Sequence, residues 1–176
     1  MSKQALIIVD MQEGLFSTPR HDADDLVMRI NELAARFRTK GSPVIFIQHG
    51  GPDGDHLHPS QPGFAIHRDL IVEPEDAVII KASCDAFLNT NLSEKLGDLE
   101  VDEVIVTGCA TDFCIDTTVR SALAHGYPTI VPEDGHTTFD RPYMSAEKVI
   151  EHHNMVWANF ISPVGPARLS RCDALG

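Results

Sequence analysis

Three β-branched apolar residues, Val104-Ile105-Val106, lead through the small-residue turn Thr107-Gly108-Cys109-Ala110 into a helical repeat at Ile115, Val119 and Ala122. An uninterrupted apolar strand of this kind needs cover on both faces, as in a parallel sheet between helices. Thr111 and Asp112 are favourable N-cap residues. They predict a helix over Asp112–His125 that Gly126 ends. Cys114 then falls in its first turn. The positive end of the helix dipole favours thiolate there. Free backbone N–H groups beside it suit an oxyanion. The segment therefore predicts a cysteine nucleophile rather than a packing thiol.

The rest of the chain alternates in the same way. Ala5–Val9, Val44–Gln48, Ala77–Ile80, Val104–Thr107 and Thr129–Val131 read as strands, with Asn159–Ser162 as a short sixth. Asp22–Lys40, Leu92–Leu99, Asp112–His125 and Met144–Val156 read as helices. In the first of these, Leu26, Ile30, Leu33, Ala34 and Phe37 form one apolar stripe. Strands alternating with helices predict a three-layer α/β/α sandwich around a Rossmann-like, doubly wound, mostly parallel sheet. Five or six strands in the order 3-2-1-4-5-6 are expected. The whole chain, 1–176, reads as a single domain, with a core over 4–162 and a tail over 163–176 that is loose or packs on a neighbour. The long polar stretch 49–75 reads as a functional loop.

Composition excludes several function classes. A formal charge of −12 opposes nucleic-acid binding. No apolar run is long enough to span a membrane. Cys84, Cys109, Cys114 and Cys172 form neither a CxxC pair nor a regular disulfide framework. The start Met-Ser-Lys-Gln lacks a signal peptide's apolar region. A cytoplasmic, reducing setting is the simplest expectation.

Ligands of doubly wound sheets bind beyond the C-terminal strand ends. Asp10, Lys81 and the 108–114 turn all sit at such ends. A lysine emerging from a buried strand needs a partner, and a carboxylate and a thiolate are to hand. Asp10, Lys81 and Cys114 then make sense as acid/base, cation and nucleophile.

These residues carry a resemblance. Ile8-Val9-Asp10-Met11-Gln12, the segment Lys81 to Phe87, and Thr107-Gly108-Cys109-Ala110-Thr111-Asp112-Phe113-Cys114 resemble the isochorismatase-like cysteine hydrolases over roughly residues 4–160. That group includes nicotinamidases, N-carbamoylsarcosine amidohydrolases and streptothricin-type hydrolases. The resemblance implies the catalytic triad Asp10, Lys81 and Cys114, and an oxyanion hole of the Ala110 and Cys114 N–H groups. It also implies a non-proline cis peptide before Ala110, no organic cofactor, a small-molecule substrate and a homo-oligomer, dimeric or higher.

The departures narrow the chemistry. The nicotinamidase metal motif has no match in Gln48-His49-Gly50-Gly51-Pro52. No metal is therefore expected, although His56, His58 and His67 with Asp53 and Asp55 are possible ligand types. The isochorismatases proper lack the nucleophilic cysteine. Cys114 thus favours hydrolysis of the C–N bond of a small amide, lactam or related substrate. Gln12, Phe16, His49, Phe87, Ile115 and Phe139 are the substrate-binding candidates. Competing readings are isochorismatase or nicotinamidase activity, a non-catalytic binding protein, and a redox-sensing thiol protein with Cys109 as the resolving partner.

Overall fold

The computed structural model describes residues 2–176. Seven strands form one sheet: β1 (Gln4–Val9), β2 (Val44–His49), β3 (Ala77–Lys81), β4 (Glu103–Cys109), β5 (Thr129–Pro132), β6 (His136–Thr137) and β7 (Arg168–Ser170). Their order is β3-β2-β1-β4-β5-β7, and β6 pairs with the end of β4. All the pairings between these strands are parallel. Helices α1 (Ala23–Thr39), α2 (Leu92–Asp98), α3 (Asp116–Ala124) and α4 (Ala146–Ala158) cover the sheet.

The alternation of side chains along a strand sorts the core into two layers. From β1, Ala5, Ile7 and Val9 enter one cluster and Leu6 and Ile8 the other. The first cluster takes Leu92 and Leu96 of α2, Val119, Ala122 and Leu123 of α3, and Trp157 of α4. The second takes Leu26, Ile30, Leu33, Ala34 and Phe37, the predicted stripe of α1. Each such side chain contributes roughly 1.5–3 kcal/mol when fully buried. The α/β/α sandwich and the strand order are as the alternation predicts.

Two expectations need correction. Asn159–Ser162 forms no strand, and Ile161 within it is 95% exposed. The sixth position in the sheet is filled instead from the tail, where Ile130, Val131 and Pro132 pair with Arg168, Leu169 and Ser170. Nor is the tail loose. Beyond β7, Cys172 is buried against the α1 side, and Arg36 donates to the carbonyls of Leu175 (2.8 Å) and Cys172 (2.5 Å).

Gly108 sets how closely β4 lies against β1. Its φ is +121°, and a Cβ there would meet the Val9 carbonyl oxygen at 2.1 Å. The three nearest atoms are all backbone of Val9, so none can turn away. Gly108→Ala is expected to cost more than about 3 kcal/mol, among the largest effects of single substitutions. Gly97 in α2 is the matched control. A Cβ there meets nothing within 4 Å, and alanine should stabilise by up to about 1 kcal/mol. Urea midpoints of the two variants moving together would refute this account.

Candidate active site

The sheet brings three strand ends to one rim. Asp10 leaves β1 with φ +51°, a left-handed conformation in which aspartate is enriched. Lys81 is the last residue of β3. After β4 the Cys109–Ala110 peptide is cis, as the resemblance implies. The chain then makes a π-helical turn, Thr111–Ile115, before α3 begins.

That turn changes the picture drawn from the sequence. No side chain caps it. The Thr111 hydroxyl instead meets His136 Nδ1 at 2.9 Å. Asp112 accepts from Arg141 and from Thr138. The Ala110 carbonyl accepts from the N–H groups of Phe113 and Ile115, passing over Cys114 between them. This leaves Ala110 and Cys114 together in the wall of a cavity.

Lys81 Nζ donates to Asp10 Oδ2 at 2.6 Å, to the Ser83 carbonyl at 2.8 Å and to Cys114 Sγ at 3.4 Å. An ammonium has three N–H bonds, and here each has an acceptor. The lysine side chain is 0% exposed and that of Asp10 1%. The short N–O contact marks an ionised, charge-assisted pair. Burial pushes the Asp10 carboxyl up, and the ammonium beside it opposes that rise without cancelling it. Burial alone would draw Lys81 down, but Asp10 and Cys114 outweigh it and hold it above the usual lysine value. Burial, and then Asp10, raise the Cys114 thiol. This is opposite to the thiolate expected at a helix start. The α-helix begins only at Asp116, and desolvation beside a carboxylate prevails over any dipole. The resting site therefore holds a thiol next to a carboxylate. Asp10 Oδ1 is buried with no hydrogen-bond partner among the described residues.

The cavity above these groups measures about 300 Å³. Asp10, Arg20, His49 and Cys114 supply its polar wall, and Leu15, Leu57, Phe113 and Phe139 its apolar one. Cys84 and Cys109 complete it beside Ala110. A larger cleft of about 650 Å³ lies between α1 and residues 71–76. It lies by Val44 at the opposite end of β2 from His49, and the Arg38–Asp76 ion pair is part of its wall.

Of the binding candidates, His49 and Phe139 face the cavity. The other four lie outside its wall. Gln12 is a buried strut, donating to the carbonyls of His49 and Phe64 and accepting from the His49 N–H. It fixes the 49–75 loop, whose Leu57 reaches the cavity. Phe16 packs edge-on against His67. Phe87 stacks on His125, and Ile115 is buried in the first core cluster. Leu15, Arg20, Leu57, Cys84 and Phe113 escaped the sequence reading. Only Phe113 carried a signal, its adjacency to Cys114. Among the described residues no group of three or more His, Cys, Asp or Glu side chains is arranged to hold a metal ion. His56 pairs with Asp55, and His58 with Asp53.

Behind the turn stands His136. Its Nδ1 meets the Thr111 hydroxyl and its Nε2 meets Asn154 Oδ1 at 3.0 Å. Nε2 therefore carries the proton, since the amide oxygen only accepts. Burial depresses this imidazole from 6.5 to about 4. The sign follows: the unfolded chain takes up the proton first, so stability is full above pH 6.5 and falls as pH drops toward 4. The loss by pH 4 is roughly 3 kcal/mol. Urea midpoints at pH 7.5 and pH 4.5 should fall further for the wild type than for His136→Gln. Equal falls would refute the assignment.

Comparison with known proteins shows the family and the fold. The family model described as Isochorismatase domain matches residues 4–158. Streptothricin hydrolase of Streptomyces noursei is 33% identical over 141 residues, covering 79% of this chain. The chain spans only 56% of that relative's length. An isochorismatase from Pseudomonas putida superposes with a TM-score of 0.90 at 28% identity, covering 99% of this chain and 90% of that one. N-carbamoylsarcosine amidase from Thermoplasma acidophilum gives 0.81 at 25% identity, covering 97% of each. No helix among the described residues is long and apolar enough to cross a membrane. By sequence and fold, the chain belongs to the isochorismatase family of hydrolases.

Proposed function

We propose that the chain is a cysteine hydrolase that cleaves the C–N bond of a small amide, lactam or related substrate through a thioester. The observation that carries this reading is the reach of Lys81 Nζ to both Asp10 and Cys114 Sγ under a cavity bounded by Ala110. Asp10, raised by burial, takes the thiol proton. Sulfur attacks the carbonyl carbon, and the Ala110 and Cys114 N–H groups receive the oxyanion. Each such donor is typically worth about 3 kcal/mol. Lys81 balances the charge that moves between sulfur and carboxylate. Asp10 returns its proton to nitrogen as the C–N bond breaks and the amine leaves. Water, giving a proton to Asp10, then cleaves the thioester, releasing the acid and restoring the thiol.

The redox alternative fits less well. Burial pushes the Cys109 thiol up to about 12, which makes it a poor resolving thiolate. All four cysteines are free, and the mechanism needs Cys114 so, which suits a reducing, cytoplasmic setting. We also propose self-association. Val78, Ile80 and Leu88 are exposed on and beside β3, an open edge of the sheet. A solution mass of one chain by light scattering would remove that part. A screen of small amides for ammonia release, with acyl-enzyme sought by intact-mass spectrometry, tests the reaction. A substrate turned over with no dependence on Cys114 would end the proposal.

A further inference from the structure

Arg20 meets no carboxylate among the described residues, and part of its guanidinium is left unpaired. Its Nε donates to the Leu15 carbonyl at 2.7 Å, and its plane lies over the Phe139 ring at 4.7 Å. Its Nη1 is buried with no hydrogen-bond partner among the described residues. Every other arginine meets a carboxylate or, for Arg36, two backbone carbonyls. The contrast with Arg141 is direct. Arg141 also lies over Phe139, at 3.8 Å, but Asp112 neutralises it at 2.5 Å. The chain carries 26 acidic residues against 14 basic ones, yet supplies none to Arg20. A guanidinium stays charged at any working pH. Leaving one of its buried N–H groups unpaired is costly.

The unpaired nitrogen belongs to a side chain in the wall that also holds Cys114 and Ala110. His49 Nδ1, in the same wall, is likewise buried and without a partner. Leu15, Leu57 and Phe113 add apolar surface to the same wall. At about 300 Å³ the cavity is at the small end for ligand sites. We infer that Arg20 binds a carboxylate of the substrate, so that the site takes short amides carrying an anionic group at the far end from the scissile carbonyl. Arginine suits this because its fork matches a carboxylate in geometry as well as charge. The inference rests on the hydrolase reading for the word substrate, but the anion contact stands on Arg20 alone.

Matched probes separate the two. Succinamate, butyramide and 3-aminopropanamide share an amide and differ at the far end in being anionic, neutral and cationic. The wild type should favour succinamate over butyramide by about 100-fold in kcat/KM, the scale of a hydrogen bond to a charged group, and 3-aminopropanamide should be poorest. In Arg20→Met the ratio of succinamate to butyramide should collapse toward one, mainly through KM. Arg20→Lys should recover part of it. A wild-type ratio near one, or a ratio that survives Arg20→Met, overturns the inference while leaving the hydrolase reading in place. If no probe is turned over, the hydrolase reading fails for these amides, and alkylation decides the anion contact. Succinamate, and not butyramide, should slow iodoacetamide labelling of wild-type Cys114. That protection should vanish in Arg20→Met and persist in part in Arg20→Lys, with thermal melts verifying that both fold. Equal protection by the two probes, or equal protection of wild type and Arg20→Met, overturns it.

Discussion

Cys114→Ala is expected to lower turnover by at least about 10⁴-fold, the scale seen when a nucleophile acting as part of a unit is removed, while the thermal midpoint stays near that of the wild type. The expectation separates chemistry from architecture. Cys114 is only partly buried. Its sulfur provides one of three acceptors to Lys81, and Asp10 and Ser83 keep the other two. Losing one weak sulfur contact leaves the ion pair in place. The same geometry orders the thiols by reactivity. Cys109 and Cys172 are buried whereas Cys114 is partly exposed in the cavity wall, so iodoacetamide should reach Cys114 before either. Peptide mapping that finds Cys172 modified first, together with an active alanine variant, would take the nucleophile assignment away.

Lys81→Met should damage both activity and stability. Removing one partner of a buried ion pair typically costs roughly 3–5 kcal/mol, because the charge left behind is uncompensated. Asp10 is already raised by burial. Without the ammonium it rises further, binds a proton and can no longer accept one from the thiol. Turnover should fall by about 10³-fold or more, and whatever remains should shift its acid limb to higher pH. The double variant Asp10→Asn/Lys81→Met provides the internal check. It removes both charges, so it should be more stable than Lys81→Met although it is no more active. A double variant as unstable as the single one would mean that packing of the lysine stem, not charge balance, sets the cost.

Apart from the edge strand β3, whose apolar run is visible although Val78 and Ile80 are exposed, the strands visible in the sequence were those the fold buries on both faces. Val104–Val106 and Ile7–Val9 have no solvent side, so their apolar runs are continuous and conspicuous. The strand in the tail had no such mark. Arg168-Leu169-Ser170 lies at the sheet edge, where one neighbour suffices and polar residues are tolerated. Asn159–Ser162 looked better only because Phe160 and Ile161 are apolar, and Ile161 points into solvent. Asp10, Lys81 and Cys114 were legible for a different reason. Each terminates or follows a strong strand, and the topology of such sheets sends those ends to one place. The cavity wall was less legible. Arg20 and Leu57 come from loops with no period, and only the fold sets their distance from Cys114. Gln12 was expected to bind substrate, but it lies outside the cavity wall with its amide fully occupied in holding His49 and Phe64.

The position of β7 has a consequence for how the protein is made. Chains leave the ribosome N-terminus first, at about 5–20 residues per second. Strands β1 to β5 can pair with one another as they emerge, since all five end by Pro132. The far side of β5 waits for Arg168–Ser170, which arrive only after all of α4 has been synthesised. Until then a nascent chain presents Ile130 and Val131 on an unpaired sheet margin, the kind of template that captures other strands. Synthesis of this protein therefore passes through an interval in which its exposure to misassembly is set by the speed of translation through α4 and the turn that follows it.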